Sequence, residues 1–325
     1  MTGDGIDRFV ERMYSRTGLE RLPAHLEGRY GIRVAQLTEL DLGVFRVDRS
    51  DGPSWVARVF PSARPLEQVE GDAEILRALA RERFPAERCA HTEAVSTHEG
   101  QGVLVTEFVE GPHPDASGTF GMLGELLGRL NTLPCDSGAV AREGGAWHHL
   151  SLAGGPRQEI ADASSLLADA EPRVPAEHRA LYEELRDALE RADDLHDLPQ
   201  ALIHPDFVPV NAIASPDDRV TVVDWTGAGR GPRIWSLAFL LWAARGPKRR
   251  RAVIGGYRSQ ISLEPNELAR LPAAISVRPL IFGCWAFCTG RQALPEVIES
   301  LSATRRLAAA IEARVEQGPK REDDA

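Results

Sequence analysis

A chain of 325 residues with 43% hydrophobic and 26% charged residues has the composition of an ordinary globular protein with room for about two domains of roughly 150 residues. Its net charge of −10 argues against general nucleic-acid binding, which needs clustered cations, and suits cationic small molecules better. The start "MTGDGIDRFVERMYS" lacks a basic run before an apolar core, and no stretch approaches about 18 uninterrupted apolar residues, so the expectation is a cytoplasmic chain without a membrane span.

In chain order, residues 5 to 16 and 19 to 29 suit short helices, and "VAQLTEL", "VFRVDR" and "SWVARVF" alternate or cluster as strands. Asp51, Gly52 and Pro53 supply the turn between the last two. A helix over 66 to 81 carries Val69, Ile75, Leu76 and Leu79, and strands follow at "TEAVSTHE" and "GVLVTEFVE". Beyond "EGPHP" the pattern turns helical, over 119 to 131, 156 to 169, 176 to 195, 233 to 245, 248 to 261, 264 to 288 and 296 to 316. The division falls near Gly111: residues 1 to 110 form a strand-rich lobe and 111 to 325 a mostly helical one.

One segment breaks the helical run. "ALIHPDFVPVNAIASPDDRVTVVDW" contains a rigid loop stiffened by Pro205 and Pro209, then two short strands around "SPDD". Counting from the turn centre, between Asp217 and Asp218, sets Asn211 opposite Asp224 in an in-register hairpin, with β-carbons about 5 Å apart. An Asn and an Asp side by side suit Mg²⁺, which takes few protein oxygens and fills its shell with water and phosphate. The neighbouring Asp206 is a carboxylate available to take a proton from an attacking hydroxyl. The constellation points to phosphoryl transfer.

At these residues the sequence resembles the aminoglycoside phosphotransferase family of small-molecule kinases and, more distantly, the protein kinases. The family's loop of His, Gly, Asp, four residues and Asn stands here as His204, Pro205, Asp206 and Asn211, with the metal-binding aspartate at Asp224. The resemblance implies an α+β, protein-kinase-like fold with a small β-rich lobe, a hinge near 106 to 111 and a larger helical lobe holding the catalytic hairpin. It implies Asp206 as catalytic base, His204 as the residue that holds the loop, Asn211 and Asp224 as Mg²⁺ ligands, and ATP or GTP as donor. At the hinge, the carbonyl of Thr106 and the N–H of Phe108 would pair with the base and Val105 would line its pocket.

The departures lie mostly in the first lobe. The usual strand lysine for the α and β phosphates is absent, since the first lysine is Lys248, and Arg58 in "WVARVF" takes its place. Its expected acidic partner is Asp72, with Glu74 and Glu70 as runners-up. A single glycine, Gly43, stands in the phosphate-covering loop, and Ser236 replaces an aspartate that braces the catalytic loop. The acidic run "EELRDALERADDLHDLP" suits a polycation, which makes an aminoglycoside-type acceptor the first expectation. A metabolite such as choline, homoserine or a sugar, or a nucleotide-binding chain with little transfer activity, is the alternative. Of the remaining motifs, "GAGRGP" suits backbone turning, "RGPKRRR" a solvated helix start, and the histidines of "AWHHL" the surface or the acceptor cleft.

Overall fold

The computed structural model describes residues 4–113, 117–135, 138–145, 155–214 and 219–316. Two helices open the chain, α1 (Asp4–Tyr14) and α2 (Leu22–Tyr30). They precede β1 (Val34–Asp41), β2 (Val44–Arg49), β3 (Trp55–Val59), the helix α3 (Leu66–Arg81), β4 (Val95–His98) and β5 (Gln101–Glu107). These strands form one antiparallel sheet in the order β1-β2-β3-β5-β4.

The β1–β2 turn requires glycine. Gly43 has φ 70°, and a Cβ there would stand 2.6 Å from the Val59 carbonyl, which accepts a hydrogen bond from Arg16 Nε at 2.6 Å. Alternation along the strands then sorts the sheet into two faces. Trp55, Ala57, Val103 and Val105 share the face toward α2, where the Tyr30 and Trp55 rings meet edge-on at 5.8 Å. Val56, Arg58, Leu104 and Thr106 share the other face, where α3 packs.

The helical lobe holds α4 (Ser117–Leu130), α5 (Pro156–Ala170), α6 (Arg179–Glu190), α7 (Ile234–Ala243), α8 (Pro247–Gln260), α9 (Pro265–Cys288) and α10 (Leu294–Glu316). Two short antiparallel ladders interrupt it, β6 (Gln200–Ile203) with β9 (Gly229–Pro232), and β7 (Ala212–Ala214) with β8 (Val220–Val222). Thus "GAGRGP" is largely a paired strand. Helices α4 and α8 touch backbone to backbone: a Cβ on Gly124 would lie 2.1 Å from Val253 O, and one on Gly256 1.9 Å from Gly121 O. Helix α9 is long and apolar enough to cross a membrane by length and composition, but 67% of its apolar window is buried inside this lobe, and the run is interrupted by Arg278. The histidines of "AWHHL" lie outside the described residues.

Candidate active site

The loop after β6 is held in one shape by the side chains the sequence singles out. His204 is completely buried; its Nδ1 accepts the Asp206 N–H at 3.0 Å and its Nε2 lies 3.0 Å from the Val223 carbonyl. An acceptor at Nδ1 leaves the proton on Nε2, so the ring is neutral. Burial pushes its pKa below the ordinary imidazole value, against the pull of the Val223 carbonyl and the Asp224 and Asp206 carboxylates. Ser236, fully buried on α7, donates to the His204 carbonyl at 2.7 Å, so the serine still braces the loop through a neutral bond. The Asn211 amide donates to the Asp206 carbonyl at 2.9 Å, which leaves its side-chain oxygen as the atom suited to a cation.

The hairpin differs from the expected register. Ala212 pairs with Val222 and Ala214 with Val220, which sets Asn211 opposite Val223 rather than Asp224. The physical reason is parity: the strands are separated by residues 215–219, an odd number, so the pairing shifts by one. The Val223 N–H donates to the Asn211 carbonyl at 2.9 Å, continuing that register. Both ligand candidates then leave strand geometry. Asn211 closes a single 3-10 turn from Pro209, and Asp224 adopts the left-handed region at φ 63°, unusual for a non-glycine residue and a frequent mark of functional sites.

Arg58 reaches the same place from β3. Its guanidinium stands 3.6 Å from Glu87 and 3.6 Å from Asp224. Burial alone would lower its pKa, but Glu87, then Asp224, outweigh that and hold it above the ordinary value. Asp72 is therefore not its direct partner, nor are the exposed Glu70 and Glu74. The Asp72 carboxylate, 1% exposed, pairs with Arg64 at 2.7 Å, accepts from Arg142, and takes the Gly227 N–H at 3.1 Å. Arg142 also donates to Gln68 O at 2.8 Å and Ala228 O at 2.9 Å, tying α3 to the segment after Asp224. Two nearby arginines claim the helix acid, so the strand arginine takes an acid from a loop.

That acid, Glu87, carries no periodic or motif signal. It is placed by pairing across the lobes: its N–H donates to Val222 O at 3.0 Å and the Val222 N–H to Pro85 O at 2.8 Å. One carboxylate oxygen accepts the Asp224 N–H at 2.7 Å and the other the Thr106 hydroxyl at 2.9 Å. Glu87 thus holds both Arg58 and the backbone of Asp224.

The backbone atoms expected at the hinge are engaged within the sheet. The Phe108 N–H donates to Ser54 O at 3.0 Å and the Phe60 N–H to Gly102 O at 2.9 Å, so bonded pairs of the β3–β5 ladder fall on even-numbered residues. By that alternation Val56 and Thr106 exchange their backbone bonds, and Thr106 has no carbonyl to offer a base. Val105 points to the α2 face, away from Arg58. On the edge opposite β3 the Glu107 N–H donates to Arg88 O at 2.8 Å, and by the same alternation the Glu107 carbonyl is turned that way.

Arg278 is the other residue that sequence reasoning missed. From α9 its side chain, 2% exposed, donates to Asp206 Oδ1, while the Asp206 side chain remains 17% exposed. A single charge inside the most strongly apolar part of α9 was the available signal.

The profile described as the phosphotransferase enzyme family, APH, matches residues 39–271. The chain belongs to that family. Among solved structures it is similar to amicoumacin kinase hAmiN in complex with AMP-PNP, Ca²⁺ and Ami, at 14% identity and TM-score 0.60 over 97% of this chain and 94% of that one. It is also similar to choline kinase LicA from Streptococcus pneumoniae, at 15% identity and TM-score 0.60 over 91% and 98%. A third neighbour is an aminoglycoside-3'-phosphotransferase of type VIII, at 22% identity and TM-score 0.57 over 81% and 99%. No curated protein sequence matches. The chain is accordingly a phosphotransferase-family protein with a β-sheet lobe and a helical lobe.

Proposed function

We propose that this chain transfers the γ-phosphoryl group of ATP or GTP to a hydroxyl of a small molecule, with Asp206 as base. The observation that carries the reading is the frame around Asp206: a part-exposed carboxylate on a loop fixed by His204, Ser236 and Asn211. Asp206 takes the proton of the acceptor hydroxyl as that oxygen bonds to the γ phosphorus. The bond from the γ phosphorus to the bridging oxygen breaks, and nucleoside diphosphate leaves. Arg58, kept charged by Glu87, neutralises phosphate oxygens as a preorganised cation.

The site's donors fit Mg²⁺, with Asn211 and Asp224 as the holding residues: one amide oxygen and one part-exposed carboxylate are a short set of hard oxygens, as an ion that retains water and phosphate ligands requires. When bound, the ion would offset negative charge on the phosphates. The base edge falls to the Glu107 carbonyl, on the strand that carries the apolar Leu104 beside Val56. The AMP-PNP and Ca²⁺ in the amicoumacin kinase structure support a nucleotide and a divalent cation in this cleft.

For the acceptor, most of the acids that suited a polycation are already engaged. Asp193 and Asp197 clasp Arg270, Asp194 pairs with Arg157 at 2.7 Å, and Glu184 with Arg305 at 3.0 Å. That observation favours a metabolite of the choline, homoserine or sugar kind over an aminoglycoside. The test is nucleoside-diphosphate release from ATP and GTP with Mg²⁺ across aminoglycosides, macrolides, choline, homoserine and sugars, for wild type and Asp206→Ala. Acceptor-dependent release lost in the variant is expected; nucleotide binding with no Asp206-dependent release would leave a nucleotide-binding chain and overturn the reading.

A further inference from the structure

We propose that Arg278 is a positioning residue for the base, holding the Asp206 carboxylate in the one orientation from which it takes the acceptor's proton; this rests on Asp206 being the base. The guanidinium is confined on every side. Its Nη2 donates to Asp206 Oδ1, and its Nη1 stands 3.5 Å from Glu159 Oε2 on α5, a carboxylate that is itself 2% exposed. Aromatic rings enclose it: its central carbon lies 4.9 Å from the Phe239 centroid, 5.0 Å from Phe282 and 5.8 Å from Trp235. A planar cation held by aromatic rings and two acids cannot follow a rotating side chain. Rotation of Asp206 would instead break a charge-assisted bond in a dry interior, so the rotamer is fixed.

The backbone side of the loop is already fixed by His204 and Asn211, but those bonds reach only the Asp206 N–H and carbonyl. Neither determines where the carboxylate points. Arg278 supplies that constraint from a helix 72 residues away in sequence. At nine-tenths buried and more, Arg278 does not itself meet the substrate; its effect passes through Asp206.

The test is a double-mutant cycle on the full chain, using the acceptor identified by the release assay, with Arg278→Gln, Arg278→Lys, Asp206→Asn and the Arg278→Gln/Asp206→Asn pair. Because a reacting group displaced by about 1 Å can lose about 100-fold, Arg278→Gln is expected to lower kcat by roughly 10- to 100-fold, while calorimetric Kd for Mg-AMP-PNP changes less than about threefold. Arg278→Lys should recover part of the loss. In the Asp206→Asn background, Arg278→Gln should lower the residual rate by less than about twofold, since a residue acting through the base has nothing left to position. Equal losses in both backgrounds, or a kcat within about threefold of wild type, would overturn the inference. Should Arg278→Gln fail to fold, Glu159→Gln loosens the same guanidinium from its far side and must show the same dependence on Asp206. Wild type without any Asp206-dependent transfer overturns the proposed function and this inference with it; transfer that needs Asp206 but not Arg278 overturns the inference alone.

Discussion

The loop that carries the proposed base and the Arg58 cluster proposed to meet phosphate are assembled by opposite routes. In the loop, His204, Asp206 and Asn211 lie within eight residues and their mutual bonds follow from spacing. At the cation site, Arg58, Glu87 and Asp224 come from a strand, a loop and the end of a hairpin, and only the fold brings them together. Chemistry carried by contiguous residues survives as a motif. Chemistry assembled across elements is free to exchange partners, and here the helix acid Asp72 has been drawn into a clasp with Arg64 and Arg142.

The largest effect should fall on the contiguous side. Asp206→Asn is expected to lower kcat by about 10²- to 10⁴-fold while leaving Mg-AMP-PNP affinity nearly unchanged, read by steady-state kinetics and calorimetry. On the assembled side, Asp72→Asn strips a buried carboxylate from two arginines and should destabilise the fold by about 3–5 kcal/mol in urea denaturation. Ser236→Ala removes one neutral bond from a buried carbonyl, so a loss of about 1–3 kcal/mol is expected, with a modest fall in kcat. The smallest effect is that of pH. His204 lies below its ordinary pKa in the folded chain, so the unfolded chain takes up its proton first as pH falls. Its contribution to stability is complete above the ordinary imidazole value of about 6.5 and is lost as pH drops below it. Urea midpoints at pH 7.5 and 5.5 should show that fall, and His204→Asn should diminish it; His25, also lowered by burial, accounts for part of what remains.

The same contrast explains what the sequence made legible. The strand-rich start, the helix over 66 to 81 and the order of the lobes follow from periodicity, and the observed α3 spans Leu66–Arg81. Asp206, His204 and Asn211 form one bonded loop. The pairing of Asn211 with Asp224 was misplaced because a one-residue difference in turn length reverses a register, and no local propensity fixes that length. The backbone atoms of Thr106 and Phe108 are engaged with β3 and Val105 lies on the α2 face, because the faces and bonded pairs of a ladder alternate and the parity is set by β3. Glu87 and Arg278 had no spacing relation to the motif residues: Glu87 meets the Asp224 backbone only once the lobes are packed, and Arg278 meets Asp206 through packing within the helical lobe.

The measurement that tests this division most directly is calorimetric binding of Mg-AMP-PNP to Glu87→Gln and to Asp72→Asn, at a low temperature where circular dichroism shows both folded. Loss of Glu87 should weaken binding by about tenfold or more and loss of Asp72 by about threefold or less, because only Glu87 holds both Arg58 and the Asp224 backbone. The reverse order would show that the helix acid, and not the loop acid, sustains the phosphate site.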